Sequence, residues 1–320
     1  MKNIAILGLG NIAHRVAKGI LCSHKACLYA VASRDLNKAQ DFAQTYGAKT
    51  FYGSYEEMLK DKNVDLVYIC TPNTLHYEQI KLCLSYKKHV ICEKPMVQNK
   101  QQVVELFQYA KQQECFLMEA HKTMFTPLNR KLKNLIDMGL IGTLKAIKAE
   151  YSCNILEDVN EDHWILKEDF GGCSYDIGVY PICVSHFFAD SDITEYHSEA
   201  ITHPHFQCDF GMDVDLFYEN GIYATLKANW YYTPEGKGKA LLIGDKGYIE
   251  IPAYWKGTQA FLYQNGSIEE IRVEMESDFE GEITHAMDCI EQGLLESPMM
   301  NQEMSLKIIE IVESVQECLK

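Results

Sequence analysis

The chain predicts a doubly wound parallel α/β sheet, followed by a second α/β domain with an open, mostly antiparallel sheet. Three observations carry that expectation. Through the first 120 residues or so, short apolar runs alternate with helix-like stretches that have one charged face, the pattern of βαβ units around a parallel sheet. The first run passes through two glycines directly into a helix. After Phe125-Thr126-Pro127 the texture changes to repeated strand-like runs broken by glycine-containing turns, with helices at the end. The expected domains are therefore 1–120 and 121–320.

In chain order, β-rich apolar runs fall at Ile4–Leu7, Cys27–Ala32, Leu66–Cys70, His89–Cys92 and Cys115–Met118. Each is short and nearly all apolar, as expected for strands covered on both faces. Helix-like stretches lie at Ile12–Cys22, Leu36–Tyr46, Tyr55–Leu59, Leu75–Tyr86 and Lys100–Gln112. A helix over Leu128–Met138 and a strand over Leu144–Ser152 open the second half. A loop rich in Glu and Asp follows, then an apolar helix near Ser174–Phe188. From Ile193 to Val273 come runs such as GIYATLKANWYY and KGYIEIPAYW, and helices near Glu282–Gln292 and Gln302–Leu319 close the chain. No internal repeat or low-complexity linker interrupts this order.

The 320 residues are 47% hydrophobic and 23% charged, enough for a sizeable core. A formal net charge of -15 argues against nucleic acid or an anionic membrane as partner, since each requires a basic footprint. Twelve cysteines occur without a CxxC pair, and Cys70, Cys92 and Cys183 sit within apolar runs. That usage fits free thiols in a reducing, cytoplasmic setting. The N-terminus lacks a signal peptide's long apolar region, and no apolar run approaches the roughly 18 residues of a membrane span.

Chemistry enters at GLGNIAHRVAKGI, where Gly8, Gly10 and Ala13 make a G-x-G-x-x-A between the first run and its helix. Gly8 permits the tight turn, Gly10 lets a pyrophosphate approach the backbone, and Ala13 lets helix and strand pack closely. Asn11, Ile12 and Ala13 open a helix whose unpaired N–H groups favour an anion. A dinucleotide is the ligand expected there. The second run ends YAVASRDLNKA, placing Ala32, Ser33 and Arg34 where an acid would bind the ribose 2′-hydroxyl of NAD. A hydroxyl and a guanidinium suit a 2′-phosphate. NADP(H) is therefore the expected coenzyme, with NAD(H) as the alternative. Asp35 comes later, at the position of a helix N-cap.

Three further segments follow in order: YICTPNTLHYE at 68–78, VICEKPM at 90–96 and GGCSYDIGVYPICVSHFF at 171–188. Together with the glycine turn they resemble the Gfo/Idh/MocA oxidoreductases, most closely the branch with dimeric dihydrodiol dehydrogenase and glucose–fructose oxidoreductase. The resemblance implies a Rossmann domain, then an α/β domain for substrate binding and oligomerisation, whose open sheet often forms a subunit interface. It implies a nicotinamide ring lying between Lys94 and the helix that carries Asp176 and Tyr180. Thr71, Pro72, Asn73 and His76 match a segment that lines the cofactor, and Glu93 matches an acid near the nicotinamide ribose. Pro95 matches a proline that often follows a cis bond, and Trp164 stands where it would wall the site. Two arginines common in the family are missing: the chain reads Met124-Phe125-Thr126-Pro127 and Trp164-Ile165 where members often have Arg-Phe-x-Pro and Trp-Arg. Their loss leaves substrate identity open, though not the hydride chemistry.

The residues support the same chemistry without the family. Gly8, Arg34, Thr71 and Lys94 each follow a predicted strand, and open parallel sheets present ligand residues at their carboxyl ends. Asp176 and Tyr180 are four positions apart, hence neighbours on one helix face. Hydride transfer to a carbonyl leaves charge on its oxygen, so a proton donor must stand within reach. Tyr180 is the candidate, Lys94 the cation that eases release of its proton, and Asp176 the group that orients Lys94 or a substrate hydroxyl. The expected activity is an NADP-linked dehydrogenase or reductase acting on a secondary alcohol or carbonyl of a carbohydrate-like or diol substrate. A non-catalytic dinucleotide sensor is the alternative. Tyr223, Trp230, Tyr231, Tyr232 and Trp255 are expected to expose apolar area, the mark of an interface and so of a homodimer or higher homo-oligomer. His203, His205 and Cys208 could in principle ligate zinc, but alternation on a strand is simpler and no metal is expected. Glu157, Asp158, Glu161 and Asp162 read as a solvated loop; as a functional run they would instead line the substrate mouth and disfavour anionic substrates. His186 reads as structural.

Overall fold

The computed structural model describes residues 1–167 and 170–320. The chain divides into two compact units, Met1–Phe125 with Glu276–Leu306, and Thr126–Met275 with Lys307–Lys320. The change of texture after Phe125 marks the first junction. Nothing in the sequence pattern marks the return of 276–306 to the first unit, so the chain passes between the units three times.

In the first unit, β1 (Lys2–Leu7), β2 (Ala26–Ala32), β3 (Thr50–Tyr52), β4 (Leu66–Ile69), β5 (His89–Glu93) and β6 (Leu117–Ala120) form one sheet. Its order is β3-β2-β1-β4-β5-β6, and every pair is parallel. Ile4, Ile6, Val67, Ile69, Val90 and Ile91 are wholly inside, as both-face coverage requires. β3 escapes the sequence reading because it is a three-residue edge strand without a buried residue. β6 runs two residues beyond the apolar stretch because polar Glu119 is satisfied inside: Oε1 accepts from Met96 N at 3.0 Å and Oε2 from Ser305 Oγ at 2.7 Å. The returning segment 276–306 supplies the helix Glu280–Glu291, which packs on the helix Asn11–Cys22. Gly19 makes that contact: a Cβ there would lie 2.6 Å from Phe279 Cβ.

The second unit holds β7 (Leu144–Ser152), β8 (Ile193–His203), β9 (Phe206–Tyr218), β10 (Tyr223–Asn229), β11 (Lys239–Gly244), β12 (Tyr248–Pro252), β13 (Gln259–Gln264) and β14 (Ser267–Arg272). They form a sheet in the order β14-β13-β12-β11-β7-β10-β9-β8. Only β7 and β10 pair in parallel; the other pairs are antiparallel. Successive side chains of a strand face opposite ways. Ile147, Ala149, Leu226, Ala228, Ala240 and Leu242 are buried on one face, where the helix Val179–Ala189 packs on β7 and β10. That helix is apolar on nearly every side, as a helix covered all round must be.

The opposite face stays open. Lys148, Glu150, Thr225, Lys227, Lys239 and Leu241 line a shallow cavity of about 270 Å3 there. Ile243, Tyr248, Phe261 and Tyr263 lie on the same side and are half-buried or exposed, with Tyr248 and Tyr263 stacked 4.5 Å apart. Two of the aromatics expected outside are inside. Trp230 is 0% exposed because it keeps step with Leu226 and Ala228, edge-on to Phe210 at 5.6 Å. Trp255 is buried against Tyr151, stacked at 3.9 Å. Tyr223, Tyr231 and Tyr232 remain exposed.

Candidate active site

The glycine turn shows two different reasons for a glycine. Gly8 follows β1 with φ of +87°, a region that L side chains rarely enter. A Cβ there would lie 2.5 Å from Thr71 Cγ2, so the protein itself demands glycine. Gly10 has φ of -77°, and a Cβ there would meet only Cys70 O, at 3.9 Å. The protein's own packing does not require glycine at this place. The helix Asn11–Cys22 starts here with no side-chain cap and no acid in its first turn. Ala13 N donates to Gly10 O at 3.1 Å; an uncapped helix start of this kind favours an anion at its remaining N–H groups. Asn11 is exposed, Ile12 half-buried and Ala13 buried.

At the end of β2, Asp35 Oδ1 accepts from Asn37 N at 2.9 Å and Lys38 N at 3.2 Å, capping the helix Leu36–Tyr46. Ser33 Oγ accepts from Asp35 N at 3.1 Å, and Arg34 is exposed. The acid of this stretch is committed to the helix.

After β4, Thr71 is half-buried, Pro72 exposed and Asn73 buried. His76 is wholly buried, with Nδ1 2.9 Å from Pro95 O and Nε2 2.9 Å from Thr71 O. Burial lowers its pKa against the pull of the two carbonyls. The ring fastens the loop after β4 to the loop after β5, so it reaches a ligand only through the loops it holds. The Lys94–Pro95 bond is cis, and Lys94 is half-buried at the strand end.

Behind that edge lies a charged cluster that the sequence reading missed. Tyr68 Oη is 3.0 Å from Glu93 Oε1 and 2.6 Å from Glu282 Oε1, all three residues buried. Burial raises the Glu93 pKa, opposed chiefly by Lys94. Burial and then Glu93 push Glu282 up to about 8. Lys122 is 4% exposed and pairs with Asp278, which also holds Arg15. Burial pulls Lys122 down to about 8 against the attraction of Asp278. Lys122 follows β6 much as Lys94 follows β5, so the strand-end rule finds it once β6 is placed correctly. Asp278 and Glu282 carry no such signal, because they belong to the returning segment.

In the second unit, Asp176 sits in a π-helical turn, Ser174–Gly178, that runs straight into the helix Val179–Ala189 bearing Tyr180. The sequence reading places both on one α-helix; the wider turn is the difference, and such turns recur at functional sites. Asp209 anchors it: Oδ2 accepts from Ser174 N at 2.7 Å, and Oδ1 accepts from Ser174 Oγ at 3.1 Å and Gln316 Nε2 at 2.6 Å. Asp176 and Tyr180 are half-buried. The Tyr180 ring lies 5.6 Å from Tyr151, which stacks on Trp255. Half-buried Trp164 begins a short 3-10 turn, with its ring 5.6 Å from His163. His203 stacks on Phe210 at 4.2 Å, and among the described residues no group of three His, Cys, Asp or Glu could hold a metal. His186 is buried, its pKa pulled down to about 3 by desolvation.

Family models match both halves. One, described as the oxidoreductase family with an NAD-binding Rossmann fold, covers residues 2–121; the other, the GFO/IDH/MocA C-terminal domain, covers 129–250. The chain belongs to the Gfo/Idh/MocA oxidoreductase family. Among relatives of this oxidoreductase, trans-1,2-dihydrobenzene-1,2-diol dehydrogenase of Xenopus laevis is 32% identical over 304 residues, spanning 91% of this chain and 89% of the relative. The Homo sapiens enzyme of that name is 29% identical over 300 residues, 91% and 88% of the two chains. Aldose–aldose oxidoreductase from Caulobacter crescentus, solved with glycerol, superposes with a TM-score of 0.88 at 22% identity, covering 99% of this chain and 97% of that one. A 3-ketoreductase from Actinomadura kijaniata, solved with NADP and TDP-benzene, gives 0.86 at 23% identity with the same coverage. These two solved structures share the fold. Among the described residues no helix of the oxidoreductase is long and apolar enough to cross a membrane.

The two glycines separate experimentally. Gly8→Ala should lower stability by about 1–3 kcal/mol in urea denaturation, since it forces an L side chain into strained backbone. Gly10→Ala should leave the urea midpoint near wild type yet weaken dinucleotide binding in a fluorescence titration. A stability loss in Gly10→Ala equal to that in Gly8→Ala would contradict this division.

Proposed function

We propose that the oxidoreductase moves a hydride between NADP(H), preferred over NAD(H), and a secondary alcohol or carbonyl carbon of a diol or carbohydrate-like substrate. The observation that carries this reading is Lys94: a half-buried lysine ending β5, on the sheet edge that also bears the open Gly10. The residues fit a dinucleotide. Gly8, Gly10, Asn11, Ile12 and Ala13 take the pyrophosphate, and Ser33 and Arg34 the 2′-phosphate. Thr71, Pro72 and Asn73 border the coenzyme with His76 behind them, while Glu93 and Lys94 stand on the nicotinamide side and Trp164 walls the site. When bound, the coenzyme donates or accepts the hydride.

Tyr180 gives its hydroxyl proton to the carbonyl oxygen in reduction and takes it back in oxidation. Lys94 stabilises the negative oxygen and the phenolate, and Asp176 orients Lys94 or a substrate hydroxyl. The Tyr151 and Trp255 rings beside Tyr180 suit the apolar face of a ring-shaped diol. The exposed acids Glu157, Asp158, Glu161 and Asp162 disfavour an anionic one. The names of the curated relatives support a diol. Twelve free cysteines support a reducing, cytoplasmic setting.

Coenzyme choice is tested at Arg34. Because Asp35 caps its helix, Arg34→Ala should weaken NADPH binding about tenfold, one charge-assisted hydrogen bond less its solvent screening, and barely change NADH binding. Equal losses for both coenzymes would remove the 2′-phosphate role. Chemistry is tested on a panel of cyclic diols, ketoses and dicarbonyls: Lys94→Met and Tyr180→Phe should each lower kcat by roughly 10²–10⁴ while coenzyme affinity stays within a few-fold. Near-full turnover by Tyr180→Phe would move the proton donor elsewhere.

The open face with Leu241, Ile243, Tyr248, Phe261 and Tyr263 supports a homodimer. Sedimentation equilibrium should give a dimer at micromolar concentration and a monomer for Leu241→Arg. A monomeric wild type would refute the assembly.

A further inference from the structure

Tyr68 offers one proton to two carboxyl groups. Its hydroxyl lies 3.0 Å from Glu93 Oε1 and 2.6 Å from Glu282 Oε1, and a phenol donates a single hydrogen bond. The second contact is a hydrogen bond only if that carboxyl carries a proton and donates to the phenol oxygen. Were both acids ionised, two like charges would flank one hydroxyl in a buried position, with one carboxylate facing a lone pair. The arrangement therefore holds an extra proton.

The surroundings say which acid keeps it. Glu93 faces Lys94 beside it and His121 and Lys122 from the stretch after β6. Glu282 faces Tyr68 and Cys70 from β4 and its end, Glu93 from β5, Asp278 from its own segment and Lys122. Of these, Lys122 is paired with Asp278, as is Arg15 of the first helix. Positive charge gathers at Glu93, negative charge at Glu282. Glu282 Oε2, moreover, has no hydrogen-bond partner among the described residues, a placement that costs a carboxylate far more than a neutral acid.

We propose that Glu282 is a positioning residue that stays protonated in the folded protein at neutral pH: its Oε1–H donates to Tyr68, and Tyr68 donates to Glu93. Glu93 is thereby held as an ionised acceptor at the end of β5, next to Lys94. The assignment rests on the reading that Glu93 and Lys94 border the coenzyme. When Glu282 ionises, two carboxylates compete for one phenol proton, Glu93 is released for part of the time, and coenzyme affinity falls.

The test pairs two measurements on wild type, Glu282→Gln and Tyr68→Phe across about pH 6 to 9. A carboxyl raised by folding stabilises most below its ordinary value, and that contribution fades as pH climbs through its folded one, about 8. Urea midpoints of wild type should therefore fall across this interval more steeply than those of Glu282→Gln, whose amide keeps a donor on Tyr68 without titrating. NADPH affinity of wild type should drop about tenfold over the same interval, the worth of one hydrogen bond to a charged group. It should stay level in Glu282→Gln. In Tyr68→Phe it should be weak and level at every pH.

Parallel urea curves for wild type and Glu282→Gln would overturn the proton assignment. Divergent urea curves with identical NADPH profiles would overturn the link to the coenzyme edge. If wild type bound neither coenzyme at any pH, the reading of the site would fail along with that link. The urea curves need no coenzyme, so they judge the proton assignment separately.

Discussion

A parallel sheet covered on both faces can place polar side chains in only one kind of position, where its strands stop. Five strands of the first unit place such groups where they stop, and the candidate site follows from it. β1 stops at the glycine turn, β2 at Ser33 and Arg34, β4 at Thr71, β5 at Glu93 and Lys94, and β6 shortly before Lys122. The sheet order sets β1 between β2 and β4, so the glycine turn and Thr71 come from neighbouring strands and touch. The exceptions bring their own partners: Tyr29 in β2 reaches Asp61, Glu119 in β6 accepts from Met96 N and Ser305 Oγ, and Tyr68 is a hydroxyl in the middle of β4. It is admitted because two acids meet it there.

The second unit meets the same constraint differently. Its sheet buries one face under a helix that is apolar nearly all round, and that helix admits a polar group along its buried length only where a partner meets it, as Tyr218 meets Ser185 and His186. Asp176 and Tyr180 therefore sit at its head, in and just after the π-helical turn. That head needs an anchor of its own. Asp209 supplies it from β9, its carboxyl raised to about 6 by burial against the pull of the Ser174 and Gln316 donors.

Much of this was legible in the sequence, and the rest was hidden for identifiable reasons. The glycine turn, the Asp35 cap and the strand-end lysine are local events, written in neighbouring residues. β3 was hidden because an edge strand need not be apolar. β6 was misplaced because a buried glutamate reads as the end of a strand until its partners are known. Trp230 was read as exposed because strand alternation fixes two faces without saying which one faces in. The π-helical turn leaves the same apolar spacing as an ordinary helix start. Glu282 and Asp278 were out of reach altogether: their meaning lies in Tyr68 and Lys122, far away along the chain.

The return of 276–306 to the first unit sets the order in which the protein can be completed as it leaves the ribosome. Arg15, Tyr68 and Lys122 emerge early, but Asp278, Phe279 and Glu282 follow only after the whole strand-rich segment of the second unit. Until then Lys122 lacks its counter-charge, and the groove at Gly19 that receives Phe279 lies open to solvent. The nascent Rossmann sheet is thus an unfinished surface through about half of translation. The polypeptide encodes the first unit in two instalments, and the second must wait while another unit is made between them.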